Sequence, residues 1–278
     1  MPRIVADLHA HTTYSDGRYS PAELADHIAS AGLDGFSVTD HDTVAGLVQS
    51  AAAASRRGLE FVPGIEMSTQ MDGVEMHVLG YYIDVEHPGI VDYTTEMPRR
   101  RHNRAVGIVN RLNDLGVEIN MEEVREVAGE GTIGRPHIAL VLARGGHVST
   151  MAEAFGRYIR EGGPAFIPSE KVAATESIRV IHEAGGVAIL AHPGHWTRHS
   201  ALLRLIREGL DGIEVRHPSH NSWLVDYYRT LASDFSLLRT GGSDFHGHRD
   251  DEVRQLGRFG VSAAELTRLR AAHENRRN

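Results

Sequence analysis

The 278-residue chain contains no cysteine, which removes disulfides, thiolate metal sites and cysteine nucleophiles from consideration. Lysine is nearly missing as well: Lys171 is the single one, and every other fixed cation is arginine. No apolar run approaches the ~20 residues that span a bilayer, and the opening MPRIVADLHAH reaches charged residues too early for a signal peptide. A cytoplasmic location without membrane contact is therefore expected. Excess positive charge is lacking too. The net charge is −8, so no global basic surface favours long nucleic acid, and a small anionic substrate would need local cations. Histidine is what the chain has in excess, with 18 residues, and it is the commonest metal ligand and the usual proton shuttle near neutral pH.

Short apolar runs alternate with helical patterns, the signature of βα units around a parallel sheet. The runs predict strands at 4–8, 35–38, 60–62, 76–82, 187–191, 212–215 and 237–239. Ser20 with Glu23 reads as a capping box, Pro21 takes the first helical position, and Gly32 stops that helix. Further helices are predicted at 44–57, 178–184, 202–208, 222–232 and 263–274. Between 96 and 163 the alternation gives way to consecutive helices. That break predicts a barrel domain of residues 1–95 and 164–278, carrying a helical insertion at 96–163 over one mouth.

Five motifs carry chemistry. In DLHAHTTYSDG, His9 and His11 are two apart at a strand end, so both imidazoles leave one face, and Asp16 in the following turn offers a hard oxygen. TDHDT crowds Asp40, His41 and Asp42, a repulsion that a cation relieves; His41 is the expected ligand, and Asp42 is expected to be a helix cap. In GIEMS, Glu66 is read as lying just past a strand, where a carboxylate can bridge two ions as an imidazole cannot. His77 lies inside an apolar strand, where a core role and a ligand role weigh equally. AHPGH places His192 after an apolar run, with His195 and His199 read as surface-loop residues. GGSDFHG repeats the alternate-residue geometry with Asp244 and His246. These candidates follow six strands at their C-terminal ends, where parallel α/β folds place active sites.

Together DLHAHTTYSDG, TDHDT, GIEMS, AHPGH and GSDFHG, spanning residues 7 to 247, resemble the ordered motifs of the polymerase and histidinol phosphatase (PHP) family. The resemblance implies a distorted (β/α)7 barrel with an inserted helical subdomain, a phosphoesterase activity and a di- or trinuclear metal centre. It implies a first ion held by His9, His11, Glu66 and Asp244, a second by Glu66, His77 and His192, and a third by Asp16, His41 and His246. The layout and the GRPHIA segment are similar to the branch acting on nucleotide phosphates. That branch implies hydrolysis of the 3′-phosphate of adenosine 3′,5′-bisphosphate to AMP, with short RNA as a further substrate class.

A hydroxide bridging two divalent ions would attack phosphorus while the ions neutralise its oxygens. The oxygen and imidazole donor set suits Mn²⁺, Zn²⁺ or Fe²⁺, with Mn²⁺ favoured because carboxylates are plentiful. Substrate contacts are expected from Arg135, at a helix start in GRPH, with His137, Lys171 and His217 as further candidates and His217 as a proton donor. The RRRHNR run at 99–104 reads mainly as a solvated helix face. Three rival readings compete with this one: a histidinol-phosphate-type phosphatase, an amidohydrolase with a carboxylated lysine bridge, and a regulatory metal-binding module of the kind attached to polymerases. Lys171 lies outside the strand-end motifs, which disfavours the amidohydrolase, and the intact ligand set disfavours the module. No feature of the sequence fixes an oligomeric state.

Overall fold

The computed structural model describes residues 3–129, 131–168, 170–249 and 251–277. Eight strands form one sheet: β1 (Ala6–Asp7), β2 (Gly35–Val38), β3 (Glu60–Met71), β4 (Val74–Tyr81), β5 (Val172–Ala173), β6 (Val187–Leu190), β7 (Gly212–Arg216) and β8 (Leu238–Gly241). Seven follow the order β1-β2-β3-β4-β6-β7-β8, and β5 pairs only with β3. The edges nearly meet, because the Leu8 N–H donates to Gly241 O at 3.2 Å and the His11 N–H to Phe245 O at 2.9 Å. The result is a nearly closed barrel, the distorted (β/α)7 architecture expected.

The sheet is mixed, not parallel throughout. β4 runs antiparallel to both neighbours, β3 and β6. The cause is local: Asp72 and Gly73, with φ of 52° and 78°, make the Asp-Gly turn whose twist matches a tight hairpin. β3 consequently runs twelve residues to Met71. Glu66 therefore lies within the strand, not past its end, and His77 projects from the middle of the antiparallel partner. The expectation that Glu66 follows a strand end fails, whereas His77 lies inside its strand as expected.

Helix α1 (Pro21–Ser30) has the predicted capping box and buries Leu24 and Ile28, one turn apart. Each such side chain contributes ~1.5–3 kcal/mol by leaving water. Helix α2 (Leu47–Arg57) starts three residues later than predicted, after Gly46, and ends at left-handed Gly58. The helical block comprises α3 (Pro88–Asp114), α4 (Met121–Ala128), α5 (Arg135–Arg144) and α6 (Met151–Ala154), then a π-turn at Phe155–Ile159. Helix α3 joins two cores. Ile90, Tyr93 and Met97 pack with the barrel cluster, whereas Ala105, Ile108 and Leu112 belong to a separate cluster with α4 and α5, and Pro98 sits between. Helices α7 (Ala174–Glu183), α8 (His199–Arg207), α9 (Ser222–Asp234) and α10 (Ala263–Arg277) complete the outer layer. Among the described residues, no helix is long and apolar enough to cross a membrane.

Candidate metal centre

Glu66 is the centre of the arrangement and is completely buried. Its Oε2 lies 3.2 Å from His9 Nε2, His11 Nε2 and His41 Nδ1, while its Oε1 lies 2.7 Å from His77 Nδ1 and 3.0 Å from His192 Nε2. Asp244 Oδ1 closes the first group, at 3.3 Å from His9 Nε2 and 3.1 Å from His11 Nε2. Asp16 Oδ1 meets His246 Nε2 at 3.3 Å and His11 Nδ1 at 3.9 Å. Three sets of ligand atoms are close enough to share an ion: His9, His11, Glu66 and Asp244; His41, Glu66 and His77; and His11, Asp16, His41 and His246. His41 thus faces Glu66 as well as Asp16, and the His11 ring presents one nitrogen to each of two groups.

The backbone is bent to make this convergence. His192 and Asp244 adopt φ of 23° and 51°, a left-handed conformation unfavourable for side chains with a Cβ and typical of strain held at functional sites. Gly242 lets the loop after β8 approach β1, since a Cβ there would lie 2.3 Å from that of His9.

The electrostatics test whether cations fit. His9 Nε2, His11 Nδ1, Asp16 Oδ1, His41 Nδ1 and Glu66 Oε2 are buried without a hydrogen-bond partner. Such atoms are costly to leave unpaired, and here nitrogen lone pairs and carboxylate oxygens aim at common points. Burial pushes His41 down to about 3. It opposes the charged form of His77 too, but Glu66 and then Glu75 prevail and hold that ring up at about 9. Asp16 and Asp244 likewise outweigh burial at His246 and raise it to about 10. Burial would raise Glu66, yet His41, His9 and His77 hold it well below the usual carboxylate range. The donor set, nitrogen and oxygen without sulfur, fits hard to borderline divalent ions.

Several supporting groups hold the ligands in place, and the sequence reading assigned none of them that role. Glu214, fully buried on β7, accepts from His9 Nδ1 at 3.2 Å and from the His192 N–H at 2.8 Å. This fixes the tautomer that leaves His9 Nε2 free as a donor atom. Asp40 accepts from Thr12 N–H, Thr12 Oγ1 and Ser15 Oγ, holding the loop that carries Asp16. Asp7, which burial pushes up to about 6, accepts from the His9 and Ser243 N–H groups. A carboxylate in an otherwise apolar strand, as in GIEVR, was the available signal for Glu214. Asp42 is no helix cap: it accepts from Ser68 N–H at 2.7 Å, Tyr93 OH at 2.5 Å and Arg101 Nε at 2.5 Å. The solvated-face reading of 99–104 holds for Arg99, which is exposed and paired with Glu96, but fails for Arg101, which is largely buried.

The remaining candidates border the cluster. His217 Nε2 lies 3.4 Å from Asp244 Oδ2, and its ring is 5.1 Å from that of His192. Lys171, 6% exposed, contacts Glu75, whose carboxylate also approaches Arg135 at 4.0 Å and His77 at 3.5 Å. Half-buried Arg104 is pushed down to about 10 by burial and by Arg135. His137 Nδ1 accepts from Gly134 N–H and closes the first turn of α5, which leaves only Nε2 for a ligand.

A barrel with this cluster of imidazoles and carboxylates defines the class as a histidine- and carboxylate-rich metal-binding barrel. The chain belongs to the PHP domain family, whose model matches residues 7–152. It is 34% identical over 246 residues to a 5′-3′ exoribonuclease of Haemophilus influenzae, covering 86% of this chain and 89% of that protein. It is 31% identical over 260 residues to a 3′,5′-nucleoside bisphosphate phosphatase of Chromobacterium violaceum, covering 88% and 91%. A crystal structure from Bifidobacterium adolescentis, provisionally described as a metal-dependent phosphoesterase, superimposes with a TM-score of 0.91 over 98% of both chains at 29% identity.

Proposed function

We propose that this protein is a metal-dependent phosphoesterase acting on nucleotides, with the 3′-phosphate of adenosine 3′,5′-bisphosphate as preferred substrate and AMP and phosphate as products. The observation that carries this reading is Glu66, whose two buried oxygens face two different groups of imidazoles. His9, His11, Glu66 and Asp244 would hold one ion, Glu66, His77 and His192 a second, and Asp16, His41 and His246 a third, with Mn²⁺ favoured. Such ions supply Lewis acidity toward the phosphoryl oxygens and the attacking water. Glu214 orients His9 toward the first ion through Nδ1. His217, beside Asp244, is placed to give a proton to the departing oxygen. Arg135, with Lys171 and Arg104, provides positive charge for the phosphate that is not cleaved, and the neutral His137 ring has Nε2 left to donate a hydrogen bond. Residues 96–163 act as an inserted subdomain that brings Arg101, Arg104 and Arg135 to the cluster, a division supported by their separate apolar core.

The deciding experiment measures phosphate release by the Mn²⁺-loaded protein from adenosine 3′,5′-bisphosphate and from histidinol phosphate. The bisphosphate should turn over far faster, and the reverse preference would remove the nucleotide assignment. A second reading, 5′-3′ cleavage of short RNA, is favoured by the 34% identity to the Haemophilus influenzae exoribonuclease.

A further inference from the structure

Trp196 and Trp223 are the chain's only tryptophans, and both stand in solvent, 49% and 66% exposed. A tryptophan normally buries 150–250 Å² and contributes heavily to a core or an interface. Neither belongs to any of the four apolar clusters. Their positions are specific. Trp196 lies in the loop leaving β6 that carries His192, and Trp223 lies in the first turn of α9, just beyond the loop leaving β7 that begins with His217.

Trp196 folds back onto its own loop. Gly194 has φ 57°, and a Cβ there would lie 2.4–2.5 Å from the indole ring atoms. Glycine is therefore required for the ring to rest on that backbone, two residues from His192, a distance of at most ~7 Å between Cα atoms. One side of the ring is covered by the loop while about half its surface remains free. Trp223 stacks on Tyr227 with centroids 5.6 Å apart and planes 5° from parallel, and the Tyr227 hydroxyl pairs with His199 Nδ1 at 2.8 Å. The two loops are also tied together. The Gly194 N–H donates to His220 Nε2 at 3.1 Å, and the Tyr228 hydroxyl donates to Gly194 O at 2.5 Å. The aromatic faces are thus fixed before any ligand arrives.

We propose that Trp196 and Trp223 form a stacking platform for nucleobases of a short single-stranded oligonucleotide lying across the metal centre. The proposal rests on the nucleotide-phosphoesterase reading above and extends it. Every base has a π-face, so stacking tolerates any sequence. Arg104, Arg135 and Lys171 gather at another sector of the rim, against Glu75 of β4. A terminal phosphate held there and a scissile phosphate beside Glu66 would carry the next nucleotides over the β6 and β7 loops. A mononucleotide held by the same cations would not need the platform.

Two measurements test this on the full-length Mn²⁺-loaded protein. Trp196→Ala and Trp223→Ala should each raise KM for a 5′-phosphorylated trinucleotide by roughly 5- to 100-fold, the loss expected for one base–aromatic stack, and change KM for adenosine 3′,5′-bisphosphate less than twofold. Unchanged trinucleotide KM, or equal changes for both substrates, overturns the platform. In Trp196→Phe and Trp223→Phe each protein keeps one indole as reporter. Stopped-flow mixing with the trinucleotide should quench its fluorescence before any product forms, and inorganic phosphate should not. Absence of quenching in both reporters overturns the proposal whether or not the alanine variants fold. Quenching without hydrolysis would support the platform and sink the hydrolytic reading instead, so the two failures are distinguishable.

Discussion

Asp16 and His246 face each other at 3.3 Å, with His11 and His41 completing their group. Replacing either by alanine removes a donor from that group alone. Asp16→Ala and His246→Ala should therefore each lose one equivalent of bound Mn²⁺ by elemental analysis, along with most turnover, and undiminished metal content would refute a third ion. Asp42 poses a different problem. Its carboxylate and the Arg101 guanidinium are buried together, and removing one partner of a buried pair leaves the other charge uncompensated. Asp42→Asn should destabilise the fold by about 3–5 kcal/mol, read as a lower midpoint in denaturant, although Asp42 belongs to none of the metal-ligand groups.

Helix α10 docks through its first turn. Ser262 and Glu265 cap it reciprocally, and Glu265 also pairs with Arg216 at the end of β7. Burial would raise the Glu265 carboxyl, but Arg216 and Ser262 bring it below its ordinary 4.5. A depressed carboxyl stabilises the fold above its unfolded pKa, and that contribution fades as pH falls through the folded value. Glu265→Gln should accordingly cost about 1 kcal/mol near pH 7, and the gap to the parent should close progressively below about pH 4.5. A gap independent of pH would mean that the helix docks by packing alone. The β3–β4 hairpin shows how much one element decides. Because it reverses the chain, Glu66 and His77 enter the site from two neighbouring antiparallel strands, with Glu66 opposite Leu79 and Ser68 opposite His77.

For the molecule as a whole, the convergence stabilises the fold differently with and without cations. Without them His77 and His246 are held up at about 9 and 10, chiefly because Glu66, for His77, and Asp16, for His246, outweigh burial. Groups raised in this way stabilise the fold fully below about pH 6.5, and the contribution is lost as pH rises through the folded values. Chelated protein should therefore melt at lower temperature as pH goes from 6.5 toward 10. Metal binding needs those same imidazoles deprotonated, so the gain in Tm on adding Mn²⁺ should grow over that interval. At ~100 times Kd the gain corresponds to ~2.7 kcal/mol, or roughly 5–10 °C for a chain of this size. A gain that shrinks with rising pH would contradict the assignment of His77 and His246 as ligands.

The sequence by itself determined the donor chemistry and the local elements. The absence of cysteine, the histidine motifs, the α1 capping box and the bounds of β2 are properties of neighbouring residues, and alternation and capping are written at that range. The tertiary structure decided the rest. It reversed β4, set Glu66 within a strand where its two oxygens diverge, paired Asp42 with Arg101 fifty-nine positions away, and aimed Glu214 at His9 across the barrel. Those outcomes depend on closing a sheet whose partners are remote in the chain. Which of many carboxylates meets which imidazole is settled by strand order and register, quantities that no local pattern encodes.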